Sequence, residues 1–496
     1  MKKSVLIFIT FSTPLLYCNV TFVSKGLSYD DVLLVPQKST LESRSQVCTK
    51  THLTKKIVLN MPIVSANMDT VTESAMAIAM AQLGGIGIIH RFNTIEQQVD
   101  EVKKVKRYRN AIIKNPLTVS EDAPLSQALE LMLAHDIKGL LVIDKHGKLA
   151  GIITHRDIRF YPDENRLVKE FMTPRDKLVV GDPNISLGQA KLLLAEFGIE
   201  KLPLVDADNS IVGLITSKDI HVKAEYPSAS IDSKGRLLVG AAIGVKDDVL
   251  ERASALIAAG VDVLVIDVAH GHSDLVINTL AKVKNQFPEI EIIAGNVATV
   301  EGTLALIQAG ADAIKVGIGP GSICTTRIVT GSGYPQLSAV IQCAQAARAY
   351  GVPVVADGGI RYSGDITKAI AGGAGTVMLG SLLAGTDESP GMPFIKGGKK
   401  YKVVRGMASF GAHLGRQSKV NGKQAKNFIP EGVEAVIPYK GSVVECVTQL
   451  LGGLYSGMSY CGVTTLEELQ DNGIFVEITA AGVRESHPHD VQELVQ

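Results

Sequence analysis

Tryptophan does not occur in this chain, cysteine is scarce, and neither sign of charge prevails. The 496 residues include six cysteines, Cys18, Cys48, Cys324, Cys343, Cys446 and Cys461, with no Cys-x-x-Cys pair and no metal-ligand spacing. In a chain this long they read as reduced thiols, which excludes a disulfide framework. Fifty Lys and Arg are cancelled by fifty Asp and Glu, so no basic excess points to nucleic acid and binding has to be local. No Gly-x-Gly-x-x-Gly run follows an apolar strand and opens a helix, so a Rossmann domain is not supported. The apolar run at the start is too short for a transmembrane helix, every later apolar run is short and punctuated by glycine, and no membrane partner is expected.

One segment is out of keeping. Lys2-Lys3 precedes a mostly apolar run from Val5 to Leu16 that ends near Cys18, the layout of a secretory signal peptide. A lipoprotein anchor needs a small residue before its cysteine, and Tyr17 is bulky. The rest of the chain reads as a thiol-dependent enzyme that needs a reducing compartment. Residues 1–25 are therefore read as an extended or misassigned start, and the protein as cytoplasmic.

What the chain does contain is glycine, 48 residues of it, within a composition that is 46% hydrophobic. Its length allows two or three domains. Eight short apolar stretches read as strands: Pro62–Ala66, Gly85–Ile89, Leu238–Ile243, Val263–Val268, Ile292–Val297, Ala313–Ile318, Pro353–Ala356 and Thr376–Leu379. Amphipathic stretches follow most of them, Thr94–Arg109 and Lys246–Ala259 being clear examples. Alternating β and α elements predict a parallel sheet. A doubly wound sheet is the alternative; the count of eight, and chemistry spread over several strand ends, favour a TIM barrel.

Residues 116–225 interrupt that pattern and contain a repeat. Gly139–Ile158 aligns without gaps on Lys201–Ile220, and Asp144/Asp206, Gly151/Gly213, Thr154/Thr216 and Asp157/Asp219 coincide. The pattern resembles a pair of CBS modules, residues 116–170 and 171–225. That resemblance implies adenosine or guanosine nucleotides held by Thr154, Asp157, Thr216 and Asp219, as regulators of ATP or GTP type. The plainer reading has these aspartates capping the helices that follow them, and both can hold. The segment carries no candidate nucleophile and reads as regulatory.

Cys324 stands in Gly317-Ile-Gly-Pro-Gly-Ser-Ile-Cys-Thr-Thr-Arg327, a loop fed by the strand Ala313–Ile318. Buried core is the common fate of a lone cysteine, but three glycines in five residues let a backbone approach a ligand. The better reading is a nucleophile beside a nucleotide. Loops after the seventh and eighth barrel strands commonly hold phosphate. Here they are Asp357-Gly358-Gly359 and Gly380-Ser381, whose small residues expose N–H groups. Ser322 adds a hydroxyl. Asp357 shares the sign of a phosphate and fits a ribose diol instead; the bland reading of Asp357-Gly-Gly is a turn.

The Cys324 loop, Asp357-Gly-Gly-Ile360, Met378-Leu-Gly-Ser381, Arg405-Gly-Met407, the split barrel and the CBS-like insert together resemble the IMP dehydrogenase and GMP reductase family, from about Gly26 to Asp490. The resemblance implies a barrel made of residues 26–115 and 226–496, with a flap at about 406–432. It implies that Ser322, Asp357, Gly359, Gly380, Ser381, Gly406, Met407, Ser409 and Glu431 hold a purine nucleoside monophosphate. Cys324 then attacks purine C2, and the adduct exchanges a hydride with a nicotinamide. Thr326 handles water or ammonia, with Glu431 as partner in a proton relay; a loop hydroxyl satisfying backbone is the plainer alternative for Thr326. Asp267, Gly317, Gly319 and Thr326 face the cofactor, NAD, or NADP for a reductase, which lies across the barrel mouth. His270 and His272, at i and i+2 with no third ligand, are a weak metal signal. Carbonyls of Gly319, Gly321 and Cys324 bind potassium, completed by Glu485, Ser486 and His487 of a neighbouring subunit in a homo-oligomer, commonly a tetramer.

The chain also departs from the pattern. IMP dehydrogenases carry an Arg-Tyr pair in the flap whose arginine activates water; Gly406–Phe428 has none, and Arg416-Gln417 is the nearest substitute. Val404 stands where many relatives have tyrosine near the phosphate. Ser65-Ala-Asn-Met-Asp69 and Gly333–Val340 lean toward GMP reductases, whereas the CBS-like pair, the long flap and the Glu-Ser-His tail lean toward dehydrogenases. The expectation is oxidation of IMP to XMP with NAD⁺, with GMP reduction to IMP and ammonia as the alternative. A non-catalytic nucleotide-sensing scaffold is the reading from another class; an inert barrel would be expected to have lost its thiol or its phosphate glycines.

Overall fold

A computed structural model describes residues 25–108, 113, 116–135, 137–159, 161, 165–217, 225–412, 414 and 429–488. The signal-like start, Arg416 and Asp219 lie outside the described residues.

Eight strands close into a parallel barrel: β1 (Ile63–Ser65), β2 (Ile86–Ile89), β3 (Gly240–Ile243), β4 (Val263–Asp267), β5 (Glu291–Val297), β6 (Ala313–Val316), β7 (Val354–Asp357) and β8 (Thr376–Leu379). Each pairs with the next, and β8 pairs with β1 to seal the ring. All eight fall within a residue or two of the stretches read from the sequence. The doubly wound alternative is overturned because the sheet has no edge.

These strands are almost continuously apolar because both faces are covered. In β4, Val263 and Val265 join Ile86, Ile88, Ile293 and Val355 in the barrel interior, while Leu264 and Ile266 pack outward among the helices. This alternation follows the two-residue period of a strand. It turns every second residue at the C-terminal end of the barrel, Asp267, Lys315 and Asp357 among them, toward the mouth. The amphipathic stretches after β2 and β3 form the helices Ile95–Tyr108 and Val249–Ala258.

The insert duplicates one unit. A helix at Leu125–Ala134 has its counterpart at Leu187–Glu196, and the antiparallel hairpin Gly139–Ile143 with Leu149–Thr154 has its counterpart at Lys201–Val205 with Ile211–Thr216. Both hairpins shift register at matching positions, Val142/Ile143 and Leu204/Val205. In each turn one aspartate oxygen accepts two main-chain N–H groups. Asp144 takes His146 at 2.8 Å and Lys148 at 2.9 Å; Asp206 takes Asp208 at 3.0 Å and Ser210 at 2.8 Å. The turn needs a left-handed residue, supplied by Gly147 in one copy and by Asn209 in the other, and asparagine tolerates that conformation well. Where the insert leaves and rejoins the barrel, the buried Lys106 donates to Asp262 at 2.6 Å, to the Leu237 carbonyl at 2.9 Å and to Asp232 at 3.2 Å.

Besides a short pairing of Thr51–His52 with Val58–Leu59, two sheets were not anticipated. Val32–Leu34 pairs with Phe475–Glu477, tying both ends of the described chain together. Phe394–Lys396, Lys399–Arg405 and Glu434–Pro438 form an antiparallel sheet that carries the roots of the flap. Among the described residues no helix is long and apolar enough to cross a membrane, no cysteine is in a disulfide, and no cluster of His, Cys, Asp or Glu is arranged to hold a metal ion. His270 and His272 pack edge to face against each other.

Candidate active site

Three glycine-containing segments meet around Cys324. After β6 the chain turns through Gly317, whose φ is +149°; a Cβ there would fall 2.1 Å from the Asp357 carbonyl oxygen. Glycine therefore allows the loops after β6 and β7 to touch. Farther along, Cys324 pairs with Gly432 in an isolated bridge. The Thr325 N–H donates to the Glu431 carbonyl at 2.9 Å, and the Val433 N–H to that of Ile323 at 3.0 Å. Gly406 and Gly432 approach so closely that a Cβ on either would stand 3.3–3.4 Å from the other's Cα. The segment Arg405-Gly-Met407 is thus pressed against Pro430-Glu-Gly432 and the thiol loop.

That contact aligns a chain of three side chains. The Cys324 thiol donates to the Thr326 hydroxyl at 3.2 Å, and this hydroxyl donates to a Glu431 carboxylate oxygen at 2.9 Å. Cys324 is half-buried and reachable, unlike Cys343, which is fully buried with its thiol pushed up to about 11 by burial.

Beside the thiol loop lies a cavity of about 300 Å³. Of the residues read as nucleotide-binding, Ser322, Asp357, Gly359, Gly380 and Ser381 line it. Ser409 does not: it is buried, and its hydroxyl accepts the Ala412 N–H at 3.2 Å. Met407 takes the Asp69 N–H on its sulfur at 3.4 Å, and the Asp69 carboxylate in turn grips Arg405. The root of the flap is thereby fixed to the loop after β1.

A buried cation joins the two acidic residues of the mouth. Lys315, in β6, is 1% exposed. It donates to Asp267 at 2.8 Å, to Asp357 at 2.6 Å and to the Asn296 side-chain oxygen. Asn296 donates in turn to Asp357 at 2.9 Å and to the Gly317 carbonyl at 2.7 Å. A register shift between Gly295 and Val297 makes room for Asn296 in β5, as bulges near functional sites commonly do. Burial favours a neutral Asp267, but the charges of Lys315 and Arg91 outweigh it and hold the carboxyl below the usual range. Burial likewise works against a charged Lys315, and Asp267 and Asp357 outweigh it, so its ammonium is raised above the usual lysine range. Sequence reasoning passed over Lys315, Asn296 and Arg91. The available signal was the single charge in the otherwise apolar run Ala313-Ile-Lys-Val316.

Gly321 and Cys324 share a tight turn, the Cys324 N–H meeting the Gly321 carbonyl at 3.1 Å, and Gly319 has a φ of +81°. The tail lies at the end of the helix Ala480–Glu485; the Ser486 hydroxyl donates to the Gly482 carbonyl at 2.8 Å, and the His487 ring packs edge to face on Tyr362. In the insert, Asp157 caps its helix: one carboxylate oxygen accepts the Thr154 N–H at 2.7 Å and the Thr154 hydroxyl at 2.6 Å.

Comparison with known proteins places this geometry in context. The profile of the IMP dehydrogenase / GMP reductase domain matches residues 26–489. The chain is 52% identical to an inosine-5'-monophosphate dehydrogenase of Nitrosopumilus maritimus, over 94% of this chain and 98% of that protein. It is also 52% identical to the inosine-5'-monophosphate dehydrogenase of Bacillus subtilis, over 95% and 97%. Among solved structures, a cysteine-to-alanine variant of the GMP reductase of Trypanosoma brucei, in complex with guanosine 5'-monophosphate, superposes with a TM-score of 0.90. It is 47% identical and covers 95% of this chain and 99% of that one.

Proposed function

Since the chain belongs to the IMP dehydrogenase / GMP reductase family, we propose that it oxidises IMP to XMP with NAD⁺ and water, through a covalent bond between Cys324 and purine C2. The observation that carries this reading is the Cys324–Thr326–Glu431 chain of hydrogen bonds beside a cavity lined by Ser322, Asp357, Gly359, Gly380 and Ser381.

The reaction divides into two halves. In the first, the Cys324 sulfur adds to C2, having passed its proton along Thr326 to the Glu431 carboxylate. A hydride then leaves C2. Bound NAD⁺ accepts that hydride. In the second half, water attacks C2 and its oxygen replaces sulfur, so that the thiol is restored and XMP leaves. Once Glu431 has released the thiol's proton to solvent, Thr326 with Glu431, or Arg416 from the flap, takes a proton from the attacking water and returns it to the departing Cys324 sulfur, a contribution of roughly 10²–10⁴ in rate for a well-placed base. Asp357 receives the substrate ribose and Asp267 the nicotinamide riboside, and Lys315 keeps the two carboxylates at a fixed separation. Gly317 and Gly319 border the cofactor. Glu431, Gly406 and Met407 close over the base, with Ser409 buried behind them.

A monovalent cation, potassium, would be held by the carbonyls of Gly319, Gly321 and Cys324, which are hard, uncharged oxygen donors. Glu485, Ser486 and His487 of a neighbouring copy complete it in a homotetramer. The cation would stiffen the thiol loop. In the insert, Thr154, Asp157, Thr216 and Asp219 bind regulatory nucleotides of ATP or GTP type.

A second reading is supported by two observations, the missing Arg-Tyr in the flap and the likeness to the Trypanosoma brucei GMP reductase. It uses the same thiol to expel ammonia from GMP with NADPH. The test is a pair of assays on the purified protein, IMP with NAD⁺ and GMP with NADPH. NADH formed only in the first supports oxidation; NADPH consumed only in the second assigns the reductase.

A further inference from the structure

The segment that follows β8 is held from behind by two lysines of the flap-root sheet. Lys402, in Lys399–Arg405, is buried and donates to the carbonyls of Thr386 at 2.8 Å and Ser389 at 2.7 Å. Lys440, two residues beyond Glu434–Pro438, is half-buried and donates to the carbonyls of Ser381 at 2.7 Å and Leu382 at 3.0 Å. Its main chain runs along the same segment. The Lys440 N–H meets the Gly385 carbonyl at 3.0 Å, and the Asp387 N–H meets that of Gly441 at 2.8 Å. Gly385 has a φ of +85°, and a Cβ there would fall 2.6 Å from the Pro438 carbonyl oxygen, so glycine is needed for the two segments to lie side by side.

The two ammonium groups differ in their surroundings. Asp387 and Glu388 counter the charge of Lys402. Lys440 donates only to carbonyls. Burial pushes its ammonium below the usual lysine range, and the Cys446 thiol is the one acidic group that works the other way. Glu388 spends its oxygens elsewhere, on the Ser442 hydroxyl at 3.1 Å and the Val443 N–H at 2.8 Å. A partly desolvated cation of this kind is costly unless an anion balances it. Ser381, whose carbonyl Lys440 grips, also lines the nucleotide cavity together with Gly380. In a trans peptide the N–H points away from the C=O, so drawing the Ser381 carbonyl to Lys440 turns the Leu382 N–H away from the lysine.

We propose that Lys440 is a positioning residue for the substrate phosphate, fixing the Gly380-Ser381 loop through two carbonyls and supplying a positive charge that the bound dianion balances. This rests on the nucleotide-site reading above. Lys440 acts through the loop and does not touch the substrate.

The experiment compares wild type, Lys440→Met, Lys440→Gln and Lys440→Arg. Calorimetry gives affinities for IMP and for inosine, the same nucleoside without its phosphate, and steady-state kinetics gives KM and kcat. In Lys440→Met, affinity for IMP should fall by about 10-fold, the scale of one nearby charge near a protein surface. Affinity for inosine, KM for NAD⁺ and kcat should stay within about 3-fold of wild type, well short of that charge effect. Lys440→Arg should recover most of the loss. Lys440→Gln, which keeps a donor for the carbonyls but no charge, should still bind IMP more weakly than wild type, and it carries the test if Lys440→Met folds poorly. Equal losses for IMP and inosine, or undiminished IMP affinity in both neutral variants, would overturn the proposal. If wild type itself binds IMP no better than inosine, the nucleotide-site reading has failed and the proposal falls with it.

Discussion

The Lys315 ammonium lies 2.6 Å from Asp357, a residue of the nucleotide cavity, while it also holds Asp267 at 2.8 Å. One fully buried cation therefore joins the two carboxylates assigned to the two reactants. Replacing it removes the cation shared by the two carboxylates and leaves Asp267 only the charge of Arg91. Lys315→Met is expected to destabilise the protein by roughly 3–5 kcal/mol, the cost typical of breaking a buried ion pair from one side. Affinity for IMP and for NAD⁺ should fall together. Chemical denaturation and binding titrations check this; loss of affinity for one ligand alone would contradict the bridging role.

The same cluster sets a pH dependence. Asp267 is depressed by Lys315 and Arg91, so its contribution to stability is complete above about pH 4, the ordinary aspartate value, and is lost as pH falls below it. Lys315 is raised, so its contribution is complete below about pH 10.4 and is lost only as pH rises beyond it. The stability difference between wild type and Lys315→Met should therefore be widest at and above neutrality and shrink as pH falls, because the carboxylates that the variant leaves buried without their cation take up protons more readily than those of the wild type. Paired unfolding curves across pH test this; a difference that does not shrink in acid would contradict it.

The Thr326 and Glu431 side chains are linked at 2.9 Å. Thr326→Val and Glu431→Gln are each expected to lower kcat by roughly 10²–10⁴, and the double variant should lose little more than either alone, since the pair acts as one relay. KM for IMP should change far less than kcat. Steady-state kinetics with additive losses would separate the two residues.

In the insert, Thr154 and Asp157 cap a short helix. Asp157→Ala should cost the insert about 0.5–2 kcal/mol and also weaken ATP or GTP binding. A thermal-shift titration distinguishes the two effects: destabilisation with unaltered nucleotide response would leave Asp157 as a cap alone.

Much of this was legible in the chain because barrel strands, buried on both faces, are short apolar runs between amphipathic helices; Val263–Asp267 and Ala313–Val316 announce themselves. The repeat was visible because Asp144 and Asp206 perform one task in two equivalent turns. The thiol loop was legible from its glycines. Lys315 was not, since a lone charge within a strand acquires meaning only when Asp267 and Asp357, far apart in sequence, arrive at its tip. The sheet of Phe394–Lys396, Lys399–Arg405 and Glu434–Pro438 escaped notice because its strands are half exposed and rich in lysine, and so lack the apolar continuity of the barrel.

The central claim is a covalent bond between one sulfur and one purine carbon. Rapid-quench mass spectrometry of the protein mixed with IMP and NAD⁺ addresses it directly. The account predicts a purine nucleotide adduct confined to the peptide that carries Cys324, formed together with NADH and absent from Cys324→Ala. NADH and XMP formed with no adduct at Cys324, or undiminished in Cys324→Ala, would contradict it.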